Sequence, residues 1–212
     1  MKRHALRAIA AGIGSLVLVG WADAQPIGSG HWKSTIEVEG GQRDVGPINA
    51  ELWMKQGKFR MKNTVMGMNM NLLHANETTW QWSDAQKTGM KFSSAAGPRQ
   101  QGADYASRID EYRKGKKIGS EKLDGHPCDI MEVTTAGGPG GDRKETVWLA
   151  NDLRGFPVKV IMEANGTKTT SHNTEIDLNA SVPDSLLTPP SDVQFQDMSE
   201  MMKRGMPPPK GR

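Results

Sequence analysis

The chain has 212 residues, with 27 Lys+Arg against 24 Asp+Glu and one cysteine. Setting aside Lys2, Arg3, Arg7 and Asp23 in the leader leaves 24 against 23, a near-neutral chain without the basic excess that nucleic-acid binding requires. Cys128 has no partner cysteine, so an intramolecular disulfide is excluded and the fold must stand on its apolar core.

Met1–Ala24 joins a basic front, Lys2, Arg3 and Arg7, to the uncharged run Ile9–Val19 and the small residues of Ala22-Asp23-Ala24. This predicts a cleaved secretory signal over residues 1–24, because the apolar run is shorter than the roughly 20 residues of a spanning helix. No cysteine stands near the cleavage site to take a lipid anchor. The expected location is the periplasm. One β domain is expected over residues 25–197, followed by a flexible Met- and Pro-rich tail over residues 198–212, with Met198, Met201, Met202 and Met206.

Within that domain His31–Val38 alternates Trp32, Ser34, Ile36 and Val38 with polar residues, the period-2 pattern of a half-buried strand. Asn49–Met54 and Lys58–Asn63 flank Lys55-Gln56-Gly57, a turn of hairpin length. Val65–Leu73, Thr78–Ser83 and Thr88–Phe92 continue the pattern. After a Ser/Ala/Gly/Pro loop, Asp104–Lys114 changes period: Tyr105, Ile109 and Tyr112 recur at helical spacing.

From Lys117 to Glu163 a second meander is expected: a segment ending at Leu123, then Ile130–Val133, the turn Gly137–Gly141, Glu145–Ala150 and Pro157–Glu163. Thr167–Leu178 is polar and Thr-rich, the composition of a solvent-facing edge strand, and Val193–Phe195 is a last extended piece. One helical turn is expected over Ser199–Arg204.

The series Ile118-Gly119-Ser120-Glu121-Lys122-Leu123-Asp124-Gly125-His126-Pro127-Cys128-Asp129, with Val147-Trp148-Leu149-Ala150, Gly155-Phe156-Pro157-Val158-Lys159 and Val182-Pro183 before Leu186-Leu187, resembles exported bacterial proteins related to the LolA/LolB lipoprotein carriers. The resemblance implies a mainly β fold: a strongly curved antiparallel sheet, an unclosed half-barrel, with one or two helices on its concave side over an apolar cavity. The acylated N-terminal cysteine of LolB-like proteins has no counterpart here.

No catalytic or metal motif stands out. The histidines, His4, His31, His74, His126 and His172, lack ligand spacing, and HExxH, CxxC, GxSxG and a phosphate loop are missing. No catalytic residue, metal or cofactor is therefore expected, and the protein is not expected to be an enzyme. Cys128 suits either a reactive thiol or a small buried apolar group at a strand start.

Met66, Met68 and Met70 alternate, so in one strand all three would emerge on one face. Thioethers there suit either a Cu(I) site or an adaptable apolar lining. Trp80 and Trp82 also share a parity. The expected function is a periplasmic carrier holding an acyl chain, lipid or lipoprotein segment in a cavity lined by Trp53, Met66, Met68, Met70, Trp80, Trp82 and Trp148. Its partners would be such hydrophobic molecules, with transient membrane or membrane-protein contact and no nucleic acid. The alternatives are a Met-based Cu(I)-handling protein and an envelope-assembly scaffold that binds only protein.

Overall fold

The structure is a computed structural model that describes residues 27–40, 46–65, 67–93, 105–135 and 143–199. The signal segment, Met66, the Gly137–Gly141 turn, the Ser199–Arg204 turn beyond Ser199, and Met201, Met202 and Met206 lie outside the described residues.

Six strands come first: β1 (Ser29–Glu39), β2 (Ile48–Lys55), β3 (Lys58–Val65), β4 (Met68–Ala75), β5 (Thr78–Ser83) and β6 (Thr88–Ser93). Helix α1 (Tyr105–Arg113) follows. A second meander comprises β7 (Lys116–Leu123), β8 (His126–Thr135), β9 (Arg143–Ala150), β10 (Phe156–Ala164) and β11 (Thr167–Asp177), and β12 (Gln194–Asp197) comes last. All twelve strands form one sheet in the order β12-β6-β5-β4-β3-β2-β1-β11-β10-β9-β8-β7, not closed into a barrel.

Tight turns make the meanders. Gln56-Gly57, Asn76-Glu77, Asp124-Gly125 and Asn165-Gly166 each connect paired strands with both residues at positive φ. That geometry matches the right-handed twist of the flanking strands. The single strand expected over Val65–Leu73 is instead broken: Val65 pairs with Met68 across a turn containing Gly67 at φ +77°.

A second correction concerns Thr167–Leu178. Strand β11 is central, pairing with β1 from Glu39↔Lys168 to His31↔Asp177 and with β10 on its other side. Backbone pairing satisfies its amides, and its Thr and Ser side chains leave both faces half-buried. The edges are β7, which carries Lys116, Lys117 and Lys122 that discourage further pairing, and β12, which runs parallel to β6.

Helix α1 packs on the concave side. Ile109 joins Trp32, Leu52, Met54 and Phe59 in one cluster, while Tyr112 joins Met131, Val147 and Leu149 in another. The helix stops where Gly115 passes β8, since a Cβ there would lie 2.8 Å from the Glu132 carbonyl oxygen and 2.6 Å from Val133 Cγ2. Among the described residues no helix is long and apolar enough to cross a membrane.

Residues 180–199 form a strap over the opposite, outer face. Val182, Leu187 and Val193 insert against Leu73 and Trp82, and Phe195 meets Trp82 edge-on at 6.0 Å. Gly89 makes room for this contact: a Cβ there would lie 2.9 Å from the Phe195 ring and 2.5 Å from the Gln81 carbonyl oxygen. Gly89→Ala should therefore destabilise the fold by about 1–3 kcal/mol, the usual cost of overpacking, measured as a lower urea midpoint.

Candidate functional site

Strand register assigns each side chain to a face. Leu52 lies opposite Met61 and Met54 opposite Phe59; Met61 lies opposite Leu72 and Asn63 opposite Met70. Leu72 then lies opposite Gln81, and Gln81 opposite Met90. Because Leu52, Met54 and Phe59 meet Ile109 of the helix, this whole set, with Met68 and Met70, faces the concave side.

Charge is sorted by the same register. Across β1–β6, β10 and β11 every Asp, Glu, Lys and Arg falls on the outer face, including Lys33, Glu51, Arg60, Lys62, Lys91 and Lys159. The concave face of these eight strands carries no such residue. His74 is its one titratable group described there, and burial pulls its pKa below the ordinary value, so it is neutral at pH 7. On this face Met68, Met70 and Met90 are 57%, 39% and 40% exposed, large apolar side chains left uncovered.

Beyond these eight strands the same face carries charge: Asp129 of β8, paired with Lys117 of β7 at 2.8 Å, and Glu145 of β9. Glu145 of β9, only 1% exposed, accepts hydrogen bonds at 2.8 Å to each oxygen from Arg108 Nη2 of the helix. Arg143 Nε lies 2.6 Å from Glu145 Oε1, out of line for a hydrogen bond. Arg108 Nη2 also donates to the Tyr112 hydroxyl at 3.2 Å. Burial, helped by the neighbouring Glu145 charge, pushes the Tyr112 phenol up to about 12, so it stays protonated and neutral.

Of the seven residues expected to share one wall, the six described do not. Met68 and Met70 are on the concave face, but Trp53 and Trp80 lie opposite outer-face residues, Arg60 and Leu73 respectively, and Trp82 lies opposite Asn71. Trp148 alternates with Val147 and Leu149, which meet the helix, so it also points outward. There its Nε1 donates to Glu121, and Lys159 Nζ sits 5.0 Å from its ring centroid. Alternation cannot compare strands until the turn lengths fix their relative register, and a one-residue difference reverses the face.

What the outer tryptophans do is different. Arg60 lies over Trp53 and Trp82, 5.9 and 5.1 Å from the ring centroids, and donates to Asn71 Oδ1 at 2.9 Å and the Leu186 carbonyl at 3.2 Å. Burial lowers its pKa, partly offset by Asp84. Trp53, Trp80 and Trp82 thus seat the strap, and Arg60 fastens it.

Other candidates also resolve. Cys128 is 1% exposed, and burial pushes its thiol pKa up, so it is a packing residue beside Ala150 and Val158. His126 pairs with Asp152, His172 with Asp124 and His31 with Glu51. Among the described residues no three His, Cys, Asp or Glu side chains converge as a metal site. Met198, expected in the tail, is buried, and its N–H donates to the Lys91 carbonyl at 2.8 Å.

The architecture just described has relatives among solved structures. The fold is an unclosed half-barrel of one sheet, and solved structures share it. An uncharacterised conserved protein from Thermus thermophilus superposes with a TM-score of 0.52 at 10% identity, covering 79% of this chain and 90% of that one. LprF from Mycobacterium bovis gives 0.49 at 11% identity over 74% and 90% of the two chains. A LolA superfamily protein from Nitrosomonas europaea gives 0.43 at 12% identity over 78% and 92%. No family model and no curated protein matches the sequence.

Two predictions test these contacts. Glu145→Ala leaves Arg108 and Arg143 without their shared countercharge, and it should cost about 3 kcal/mol, the low end for a buried pair because both arginines are partly exposed. Urea unfolding measures it.

For the strap, Lys55 and Lys87 hold the carboxyls of Asp184 and Asp192 below the usual range, and the Ser199 backbone N–H, followed by Lys91, does the same for Asp197. Folded values below unfolded ones give a contribution complete above about pH 3.9 and lost as pH falls through the folded values. Tryptophan emission should therefore hold steady near neutrality and shift to the red only in acid below about pH 4.

Proposed function

We propose that this protein is a binding or carrier protein for a hydrophobic ligand, an acyl chain, lipid or lipoprotein segment, held on the concave face and handled outside the cytoplasm. The observation that carries the proposal is the sorting of charge: eight strands present a concave face free of Asp, Glu, Lys and Arg, with Met68, Met70 and Met90 uncovered on it. An apolar chain laid there displaces water at no cost in desolvated charge, and each buried methylene contributes about 0.8 kcal/mol. Methionine suits chains of varying shape because its thioether side chain is flexible and polarisable.

The leader over residues 1–24 supports the extracytoplasmic setting. On this reading the ligand-binding residues are Met68 and Met70, joined by Leu72 and Met90, with Met66 as their sequence neighbour.

Adjacent substitutions test the reading through the strand's own alternation. Met68→Glu places a charge on the concave face and should weaken uptake of a fluorescent fatty acid about tenfold or more, the desolvation of one charge being ample for that. Asn69→Glu places the same charge on the outer face and should leave uptake unchanged. Equal effects of the two, with β-sheet circular dichroism intact, would remove the concave face from consideration.

A further inference from the structure

Resting on the carrier reading, we propose that Arg143 anchors the ligand's head group, so that the concave face takes an amphiphile with an anionic head, carboxylate or phosphate. Arg143 opens β9 and lies on the same side of the strand as Glu145, two residues on, and so on the concave face. Arg108 Nη2 already donates to both oxygens of Glu145 at 2.8 Å. Arg143 therefore stands against a carboxylate that is already engaged. Its Nε is 2.6 Å from Glu145 Oε1 but out of line, and no hydrogen bond reaches that buried nitrogen. The side chain is 29% exposed, and it can turn to a second anion without leaving Glu145 unpaired.

The neighbouring cations are committed elsewhere. Arg108 is held by Glu145 and approached by the exposed Glu111 at 3.4 Å, and Lys117 of β7 is held by Asp129 at 2.8 Å. Strands β1–β6, β10 and β11 have no cation on this face. Arginine suits the task because its planar fork matches the paired oxygens of a carboxylate or phosphate.

The position fits an amphiphile. Six antiparallel pairings separate β4 from β9, so both run in the same direction, and their first residues, Met68 and Arg143, stand at the same end of the sheet. Through Asn63 and Ala50, Met70 is level with Ser34; through Val160 and Ser171, Val147 is level with Ile36. Met68 is therefore level with Val147, and Arg143 lies about 14 Å further out, at the rim. Along the sheet β4 and β9 are about 29 Å apart, but curvature shortens the path. Ile109 and Tyr112, three residues apart in α1, touch the β1–β3 and β8–β9 clusters respectively. A head at Arg143 directs its chain across the mouth toward Met68 and Met70 while staying near water, which limits the desolvation its charge must bear.

The test titrates the protein with decanoate, decyl phosphate and decanol at about pH 8, where the first two are ionised, and follows binding by calorimetry. The anions should bind about tenfold or more tightly than the alcohol, the worth of one hydrogen bond to a charged group. The tighter of the two identifies the head. Arg143→Gln should remove the preference and leave decanol affinity as it was, which also reports an intact face. Arg143→Lys keeps the charge without the fork and should retain part of the preference. Equal binding of all three, or an anion preference undiminished in R143Q, would overturn the anchor and leave the carrier reading in place. Failure of all three to bind would overturn both.

Discussion

The ladder between β1 and β11 turns two separate meanders into one wall. Each meander is local: its strands follow one another in the chain and are joined mostly by tight turns, so it forms at little loop-closure cost. The β1–β11 pairing joins Glu39 to Lys168 and His31 to Asp177, groups far apart in the chain. It sets β2–β6 on one side and β7–β10 on the other, and it creates the curved surface that α1 crosses. Polar contacts on each face tie it: Ser34 to Ser171 on the concave side, Lys33 to Glu175 on the outer.

On that wall the two faces have opposite chemistry. The outer face keeps its charges paired with neighbours, as in Lys168 with Glu39 and Lys62 with Asp84, and those pairs are exposed and weak. The concave face stays uncharged over eight strands; on β8 and β9 it carries Asp129, paired with Lys117, and Glu145, enclosed by Arg108 and Arg143. A buried ion pair of this sort contributes less to net stability than to placement, since removing either partner leaves the other uncompensated. Its effect is to fix where α1 sits across the sheet, leaving the methionine side of the face open.

The strap and the helix cover opposite faces by different means. Helix α1 is attached through Ile109, Tyr112 and the Glu145 cluster. The strap alternates apolar contacts at Val182, Leu187, Val193 and Phe195 with ion pairs from Lys55, Lys87 and Lys91. Because it occupies the outer tryptophans, those residues serve cohesion, and Met68, Met70 and Met90 stay uncovered on the opposite side.

Much of this was legible from residues alone. Alternation in His31–Val38, the Gln56-Gly57 turn and the change to helical period at Ile109 and Tyr112 are local properties, set by backbone sterics and side-chain direction, so most strands and the helix emerge from the sequence, the Val65–Met68 break excepted. The parity of Met68 and Met70, and separately of Trp80 and Trp82, is local as well. Whether those two pairs share a face is not local, because it depends on how many residues the β4–β5 turn consumes, and the structure places them on opposite faces. The central position of β11, the parallel pairing of β12 and the meeting of Arg108 with Glu145 likewise depend on contacts between distant segments. By itself the sequence determined most of the elements and the parity within each one, since those follow from neighbouring residues; only the tertiary structure decided which parity faces the concave side, since that follows from pairing between strands.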